Sequence, residues 1–171
     1  MRTKLGVLTA ALAIVVLGAL TFGSAIATAH GKHHKRVLRV IAIQNQFQAV
    51  DVAPTGPSLG DELVFSETLM RHGREVGVSG VVCTATEVTP PYEVTTYHCV
   101  ATLSLRRGQI TLQGLVEIQG TGDMGPFTVA ITGGTGAYRG AGGEARIREV
   151  SDTTAVYKLF LDRTDKKKHR R

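Results

Sequence analysis

Apolar and polar residues alternate along most of the chain from Val37 to Leu161, and no stretch keeps a helical period for more than a turn or two. A period of two is typical of strands that bury one face. Glycine, proline and charged clusters interrupt the alternation at short intervals, as hairpin turns require. The pattern predicts eight strands, at 37–43, 61–70, 76–88, 95–105, 109–119, 127–132, 138–150 and 153–161.

The strand at 109–119 has the clearest two-sided pattern, because its apolar positions alternate with Thr111, Gln113, Glu117 and Gln119. Other strands, such as 153–161, are apolar on both faces, which we interpret as an outer surface partly covered by a neighbouring subunit. Residues 44–60 are predicted to form a long polar loop, of the kind that often serves as a lid or rim over a site.

Eight antiparallel strands joined by short connections leave exposed edges unless the sheet closes on itself. The sequence therefore predicts an all-β fold, an eight-stranded antiparallel closed barrel, with a β-sandwich as the alternative. An eight-stranded barrel has an interior just large enough for packed side chains or for one small ligand.

Glycine is concentrated in residues 131–145, which hold six of the twenty glycines of the chain. This density predicts a strand, a sharp turn and a second strand, at a place where the backbone turns tightly or another segment passes close by. A phosphate-binding loop is the alternative, but no Lys-Ser/Thr follows and the next residues alternate like a strand.

The string GGTGAYRGAGGEA at 133–145 resembles the signature of the dirigent proteins and of the allene oxide cyclase barrel superfamily that contains them. Residues 60–65, Gly-Asp-Glu-Leu-Val-Phe, resemble the Gly-Asp-x-x-x-Phe opening of an early strand in those families. The resemblance extends over about 37–165, and secreted bacterial members look most similar. It implies the same eight-stranded barrel, commonly assembled as a homotrimer.

The catalytic residues of those families are not carried over by the resemblance. Plant dirigent proteins have an acid directly after GGTG and an arginine before the last glycine, where this chain has Ala137 and Gly142. Allene oxide cyclases use Glu-x-Asn on the first strand, whereas the residue two positions before Asn45 here is Ile43. The resemblance thus implies the scaffold, and the chemistry has to be argued from other residues.

The amino terminus reads as a secretory signal peptide over residues 1–29. Arg2 and Lys4 precede an uncharged run that ends in Ala27-Thr28-Ala29, a small-x-small cleavage sequence. The prediction is a secreted, extracellular protein with no membrane span after cleavage. A retained membrane anchor is the alternative, because the run is just long enough to span a bilayer.

The formal net charge of +6 is concentrated at the chain ends. Ten basic residues between Val37 and Asp165 face fourteen acids, so the predicted barrel domain, 37–165, carries −4. The His/basic tail at 30–36 and the basic tail at 166–171 hold the excess. No basic surface interleaved with aromatics is apparent, so no nucleic-acid partner is predicted. The tails are interpreted as solvated, with attachment to an anionic envelope as the alternative.

Cys83 and Cys99 are the two cysteines, and in an exported protein an even pair implies one disulfide. A hairpin folded about Pro90-Pro91 places position 83 opposite position 99. A bridge closing this loop would stabilise the fold by about 3 kcal/mol. A redox-active pair is the alternative, although the C-x-x-C spacing is missing.

Glu67 is the candidate catalytic residue, because it lies between Phe65 and Leu69 on one face of its strand. If that face is the barrel interior, desolvation would raise its pKa and suit it to acid or base catalysis. A glutamate at the barrel mouth, or paired with an arginine, is the alternative.

The remaining candidate ligand-binding residues are Phe65, Leu69, Tyr97, Tyr138, Tyr157 and Arg146. Tyrosines can line a cavity with a ring and a hydroxyl, although packing in a core or interface is commoner. Arg146 shares a polar face with Glu144, which is either the wet outside or a charged cavity wall. His30, His33 and His34 lie beside the cleavage point and form a weak copper or nickel site candidate, with no other metal site expected.

These features favour a secreted, cofactor-free barrel that binds a small apolar molecule in its lumen and guides the coupling or cyclisation of that molecule. The alternative is a non-catalytic extracellular carrier or an envelope-associated structural barrel. Metal binding by the amino-terminal histidines is a third, weaker hypothesis.

Overall fold

A computed structural model describes residues 34–91, 93–120, 122 and 124–163. The predicted signal peptide, His30, His33 and the basic tail at 166–171 lie outside this range. The strands are β1 (His34–Val50), β2 (Glu62–Arg71), β3 (Arg74–Thr89), β4 (Val94–Leu105), β5 (Gly108–Gln119), β6 (Phe127–Gly134), β7 (Gly142–Ser151) and β8 (Thr154–Arg163). The helical content of the described residues is one 3-10 turn, Gly136–Tyr138. These residues include no helix that could span a membrane.

The strands form a closed antiparallel barrel in which each strand pairs with the next and β1 pairs with β8. The prediction of an eight-stranded barrel is confirmed. Closure satisfies the hydrogen-bonding groups that a terminal strand would otherwise expose. The inward positions are mainly aliphatic, which is why the alternation could be read from the sequence.

The first strand is longer than predicted, and the prediction of a loop from residue 44 is wrong. β1 begins at His34, inside the predicted tail, and continues to Val50, with a register shift between Gln44 and Gln46. Because this segment is mostly polar, the pattern of apolar residues did not indicate a strand there. A bulge bends a strand and re-aims its side chains without ending the pairing.

The shortened β1–β2 connection, residues 51–61, is fixed by the side chain of Asp61. Its carboxylate accepts hydrogen bonds from the backbone N–H groups of Val52 at 3.0 Å and Ser58 at 2.8 Å, and from the Ser58 hydroxyl at 3.0 Å. These bonds lower the pKa of Asp61, with the Val52 N–H as the largest cause. Asp61 in the Gly-Asp-x-x-x-Phe string therefore has a structural role at the rim.

The glycine-rich segment at 131–145 lies at the end of the barrel opposite the connection 51–61. The strand predicted from Tyr138 instead begins at Gly142, because the 3-10 turn intervenes. At Gly134 a Cβ would lie 2.6 Å from the carbonyl oxygens of both Gln109 and Tyr138, so the backbones meet here without room for a side chain. Tyr138 is buried and belongs to the core cluster.

The barrel has two ends, which we name by the connections they carry. The mouth carries the connections 51–61, 90–93, 120–126 and 152–153, and the floor carries the connections 72–73, 106–107 and 135–141. The largest side chains that are fully buried are those of Leu69, Leu103, Ile110, Leu112, Leu159 and Val40.

The disulfide joins Cys83 and Cys99, with 4.0 Å between the Cα atoms. The two cysteines are direct partners in the β3–β4 ladder. The predicted bridge and its hairpin are thus confirmed.

We predict that Gly143→Ala destabilises the protein strongly. Gly143 has a φ of +117°, and a Cβ there would lie 2.1 Å from the Phe160 carbonyl oxygen. The backbone strain alone costs roughly 1–3 kcal/mol, before the clash with the neighbouring strand is added. Urea unfolding of the purified variant measures the loss.

Gly142→Ala is the matched control, because a Cβ at Gly142 meets nothing within 4 Å. Its free energy of unfolding should stay within about 1 kcal/mol of the wild type. Equal stability of the two variants would contradict the close approach at Gly143.

Candidate functional site in the barrel cavity

A cavity of about 490 Å³ occupies the mouth half of the barrel. Apolar residues dominate its wall, and the Cys83–Cys99 disulfide forms part of that wall. Its aromatic lining residues are Phe47, Phe65, Tyr97, Phe127 and Tyr157, and its charged lining residues are Glu67, Glu149 and Asp152. A pocket of this volume and composition suits a small organic molecule.

The hydrogen-bonded ladder between β5 and β6 stops short of the mouth. The β5–β6 ladder ends at the pair Gln113 and Ala130, whereas the β4–β5 ladder continues to the pair Val94 and Gln119. Gly122 and Met124, from the β5–β6 connection, line the cavity beside the end of this ladder.

Glu67 lies on the cavity wall, on the inward face of β2, and is only 5% exposed. The Tyr157 hydroxyl on β8 donates to its two carboxylate oxygens, at 3.0 and 3.1 Å. The Ser79 hydroxyl on β3 also donates to Oε2. Three strands thus converge on one carboxyl group.

Burial raises the pKa of Glu67 above its ordinary value, while the hydrogen bonds from Ser79 and Tyr157 oppose the rise. Burial also raises the pKa of Tyr157 well above 10.0, and the charges of Glu67 and Glu149 add to that rise. Tyr157 therefore stays a hydroxyl donor. A raised pKa suits a carboxyl group to general acid or base catalysis.

The other predicted ligand-binding residues lie in different places. Phe65, Tyr97 and Tyr157 line the cavity. Leu69 points inward but is fully buried in the core, and Tyr138 packs at the floor. Neither belongs to the cavity wall.

Arg146 lies on the outside of the barrel, with its side chain 63% exposed. Its guanidinium pairs with Glu144 at 2.7 Å and stacks over the Phe160 ring at 4.8 Å. The polar face of Arg146 and Glu144 was predicted to be either the solvated outside or a charged cavity wall. In the structure it is the solvated outside. Arg146 does not line the cavity.

Several cavity residues were missed by the sequence reasoning. Phe47 was assigned to a loop, and Glu149 and Asp152 gave no motif. Ser79 could have been found, because it is a polar residue at an inward position of a strand that otherwise buries Val81, Cys83 and Ala85. Its partner Glu67 explains why a hydroxyl is buried there.

Comparison with known proteins agrees with this geometry. The model of the allene oxide cyclase barrel-like domain matches residues 41–161. The chain belongs to this family. The match spans all eight strands and leaves out the first seven residues of β1 and the last two of β8.

Three solved structures that share this barrel fold have names that state different activities. A pyocyanin demethylase is 32% identical, with a TM-score of 0.66, over 74% of this chain and 99% of that chain. AbnU, an exo-specific intermolecular Diels-Alderase, is 21% identical, with a TM-score of 0.56, over 77% and 99%. The pterocarpan synthase dirigent protein GePTS1 is 18% identical, with a TM-score of 0.59, over 78% and 87%. No curated protein sequence matches the chain.

The positions that correspond to the plant dirigent catalytic residues, Ala137 and Gly142, lie at the floor. They contribute nothing to the cavity wall. Among the described residues, no group of three or more His, Cys, Asp or Glu side chains is arranged to hold a metal ion. Glu67, Tyr157 and Ser79 are thus the polar centre of the candidate site.

We predict that deprotonation of Glu67 lowers the free energy of unfolding of the barrel. Because its folded pKa is raised, the native state holds the proton more tightly than the unfolded state does. The resulting stabilisation is complete below the unfolded pKa and disappears as the pH rises through the folded pKa. The stability of wild type relative to Glu67→Gln should therefore fall as the pH rises from 4 to 8.

Urea unfolding at a series of pH values measures this difference. Glu75→Gln removes an exposed carboxylate from β3 near the floor and controls for the loss of one acidic group. A wild-type advantage over Glu67→Gln that grows with pH would contradict the raised pKa.

Proposed function

We propose that this barrel binds a small apolar organic molecule in its cavity and transfers a proton to or from it through Glu67, so guiding its rearrangement, coupling or cyclisation. The observation that carries the proposal is a buried carboxyl group with two hydroxyl donors on the wall of a 490 Å³ apolar cavity. The enclosing wall would hold the molecule in a reactive conformation.

The similarity to the pyocyanin demethylase supports an aromatic guest. A planar molecule of pyocyanin's size fits the volume of the cavity. The Diels-Alderase and the dirigent protein support the use of this barrel for reactions of small organic molecules, at the level of the shared fold.

A non-catalytic carrier is the second candidate, and the apolar wall favours it equally. The two candidates differ in the role of Glu67. For a carrier, the carboxyl group only positions the guest, and its replacement by an amide changes no reaction.

We further propose that the protein is exported and that the barrels assemble as homotrimers. The disulfide supports export, because such bonds persist in oxidising compartments. Val82 pairs with Val64 on β2 and Val100 on β4, forming an apolar row on the outer face. Val82 and Val100 are 42% and 44% exposed. A neighbouring subunit would cover such a row.

We predict that the wild type catalyses the elimination of 5-nitrobenzisoxazole, a planar apolar probe of general bases. Glu67 would remove the C3 proton while the N–O bond breaks, which gives the coloured cyanonitrophenolate. The reaction needs the carboxylate, so the rate should rise with pH through the raised pKa of Glu67. Glu67→Gln should lose about 100-fold or more of the rate, at the low end of general-base contributions.

Two further variants separate catalysis in the cavity from catalysis at the surface. Ala101→Phe fills the cavity and should lower both binding and rate, whereas Ala130→Phe lies outside on β6 and should change neither. Circular dichroism verifies that both variants fold. A rate that survives Glu67→Gln would contradict the role of Glu67, and a wild type that binds the probe without accelerating its elimination would leave the carrier as the function.

We predict that native mass spectrometry detects a trimer of the wild type. Val82→Lys together with Val100→Lys should produce monomers that keep the barrel's circular dichroism, because a charge in an apolar interface is costly. Lysine at the exposed residues Thr128 and Ala130 of β6 serves as the control pair. A wild type that is monomeric at micromolar concentration would end the proposal of assembly.

A further inference from the structure

The cavity wall carries charge of one sign. Its charged members are Glu67 on β2, Glu149 on β7 and Asp152 in the β7–β8 connection. The described residues of the lining include no lysine, arginine or histidine. A wall of this kind disfavours an anionic guest, because like charges in a partly enclosed site repel each other strongly.

The negative charges at the mouth act on the interior. The charge of Glu149 contributes to the raised pKa of Tyr157, and the charge of Asp61 contributes to the raised pKa of Tyr97, after burial in each case. Both tyrosines line the cavity. The field of the rim acids therefore extends to the place where a guest would bind.

Aromatic rings supply a second attraction for positive charge. Five aromatic side chains line the cavity, and the Phe47 and Phe65 rings lie 6.5 Å apart at its wall. The face of an aromatic ring carries partial negative charge, and cages of such rings bind cations that have no hydrogen-bond donors. An apolar wall of rings with acids at the rim therefore suits a cation with an apolar body.

From these observations we infer that the guest of this cavity is an organic cation, an aromatic molecule with an N-alkylated or otherwise positively charged nitrogen. This inference rests on the proposed function and names its class of substrate. In this complex the aromatic rings contact the body of the guest, and Glu149 and Asp152 attract it at the mouth. Glu67 lies within the electrostatic field of the positive charge of the guest.

Three probes of one shape and different charge test the inference. N-methylquinolinium is the cation, 1-methylnaphthalene is its neutral isostere, and 1-naphthoate is the anion. Equilibrium dialysis should give at least tenfold tighter binding of the cation than of the anion. The double variant Glu149→Gln and Asp152→Asn should weaken cation binding by about tenfold, tighten anion binding and leave the neutral probe within twofold.

Glu75→Gln is the matched control, since it removes an exposed carboxylate at the floor end and should leave all three affinities unchanged. Anion binding as tight as cation binding, or an equal loss of all three probes in the double variant, overturns the inference while the cavity remains a binding site. Failure of every probe to bind overturns the proposed function itself. The outcomes for the two proposals are therefore distinct.

Proton release gives an independent readout. The carboxyl group accepts hydrogen bonds from Ser79 on β3 and Tyr157 on β8. Gln44 is the register partner of Glu67 on β1, and the charge of Glu149 on β7 also acts on Tyr157. A cation bound beside Glu67 favours its charged form. Calorimetry in two buffers of different ionisation enthalpy should detect proton release with N-methylquinolinium, none with 1-methylnaphthalene, and none with either probe in Glu67→Gln.

Discussion

The pairing of β1 with β8 is the constraint on which the rest of the structure depends. It runs from the pair His34 and Arg163 to the pair Ile43 and Thr154, and it joins the two ends of the described chain. Without it the sheet would have two open edges and no enclosed interior. Glu67 on β2 and Tyr157 on β8 lie on the two neighbours of β1, so closure also brings together side chains that are 90 residues apart in sequence.

The interior that closure creates is packed with side chains at the floor and holds a cavity at the mouth. Leucines and isoleucines fill the floor half, together with Tyr138 from the glycine-rich segment. In the mouth half, Val81, Cys83 and Ala101 stand on the cavity wall together with five aromatic side chains. A buried carboxyl group is tolerated there because two hydroxyl groups donate hydrogen bonds to it.

Proteins that share this barrel fold carry names of very different reactions, and the architecture explains how this is possible. Close backbone contacts at the floor, such as those at Gly134 and Gly143, stabilise the fold. The mouth can change its side chains without disturbing those contacts. In this chain the floor positions Ala137 and Gly142 offer no acid or base. The polar groups are instead Glu67 on β2 and Tyr157 on β8, both on the cavity wall, with Ser79 on β3 behind Glu67.

The sequence by itself determined the strand count, the closed barrel and the disulfide, because each depends on local alternation, turn residues or cysteine spacing. It left open whether the face of β2 that carries Glu67 points into the barrel, which the structure decided. It misplaced the end of β1, since polar residues and a bulge concealed a strand that is held by pairing on both sides. Only the tertiary structure decided that Tyr157 and Ser79 meet Glu67, that Tyr138 lies at the floor and that Arg146 lies outside. Those positions depend on the shear and register of a closed sheet, which bring distant strands together in a way that no single stretch of residues encodes.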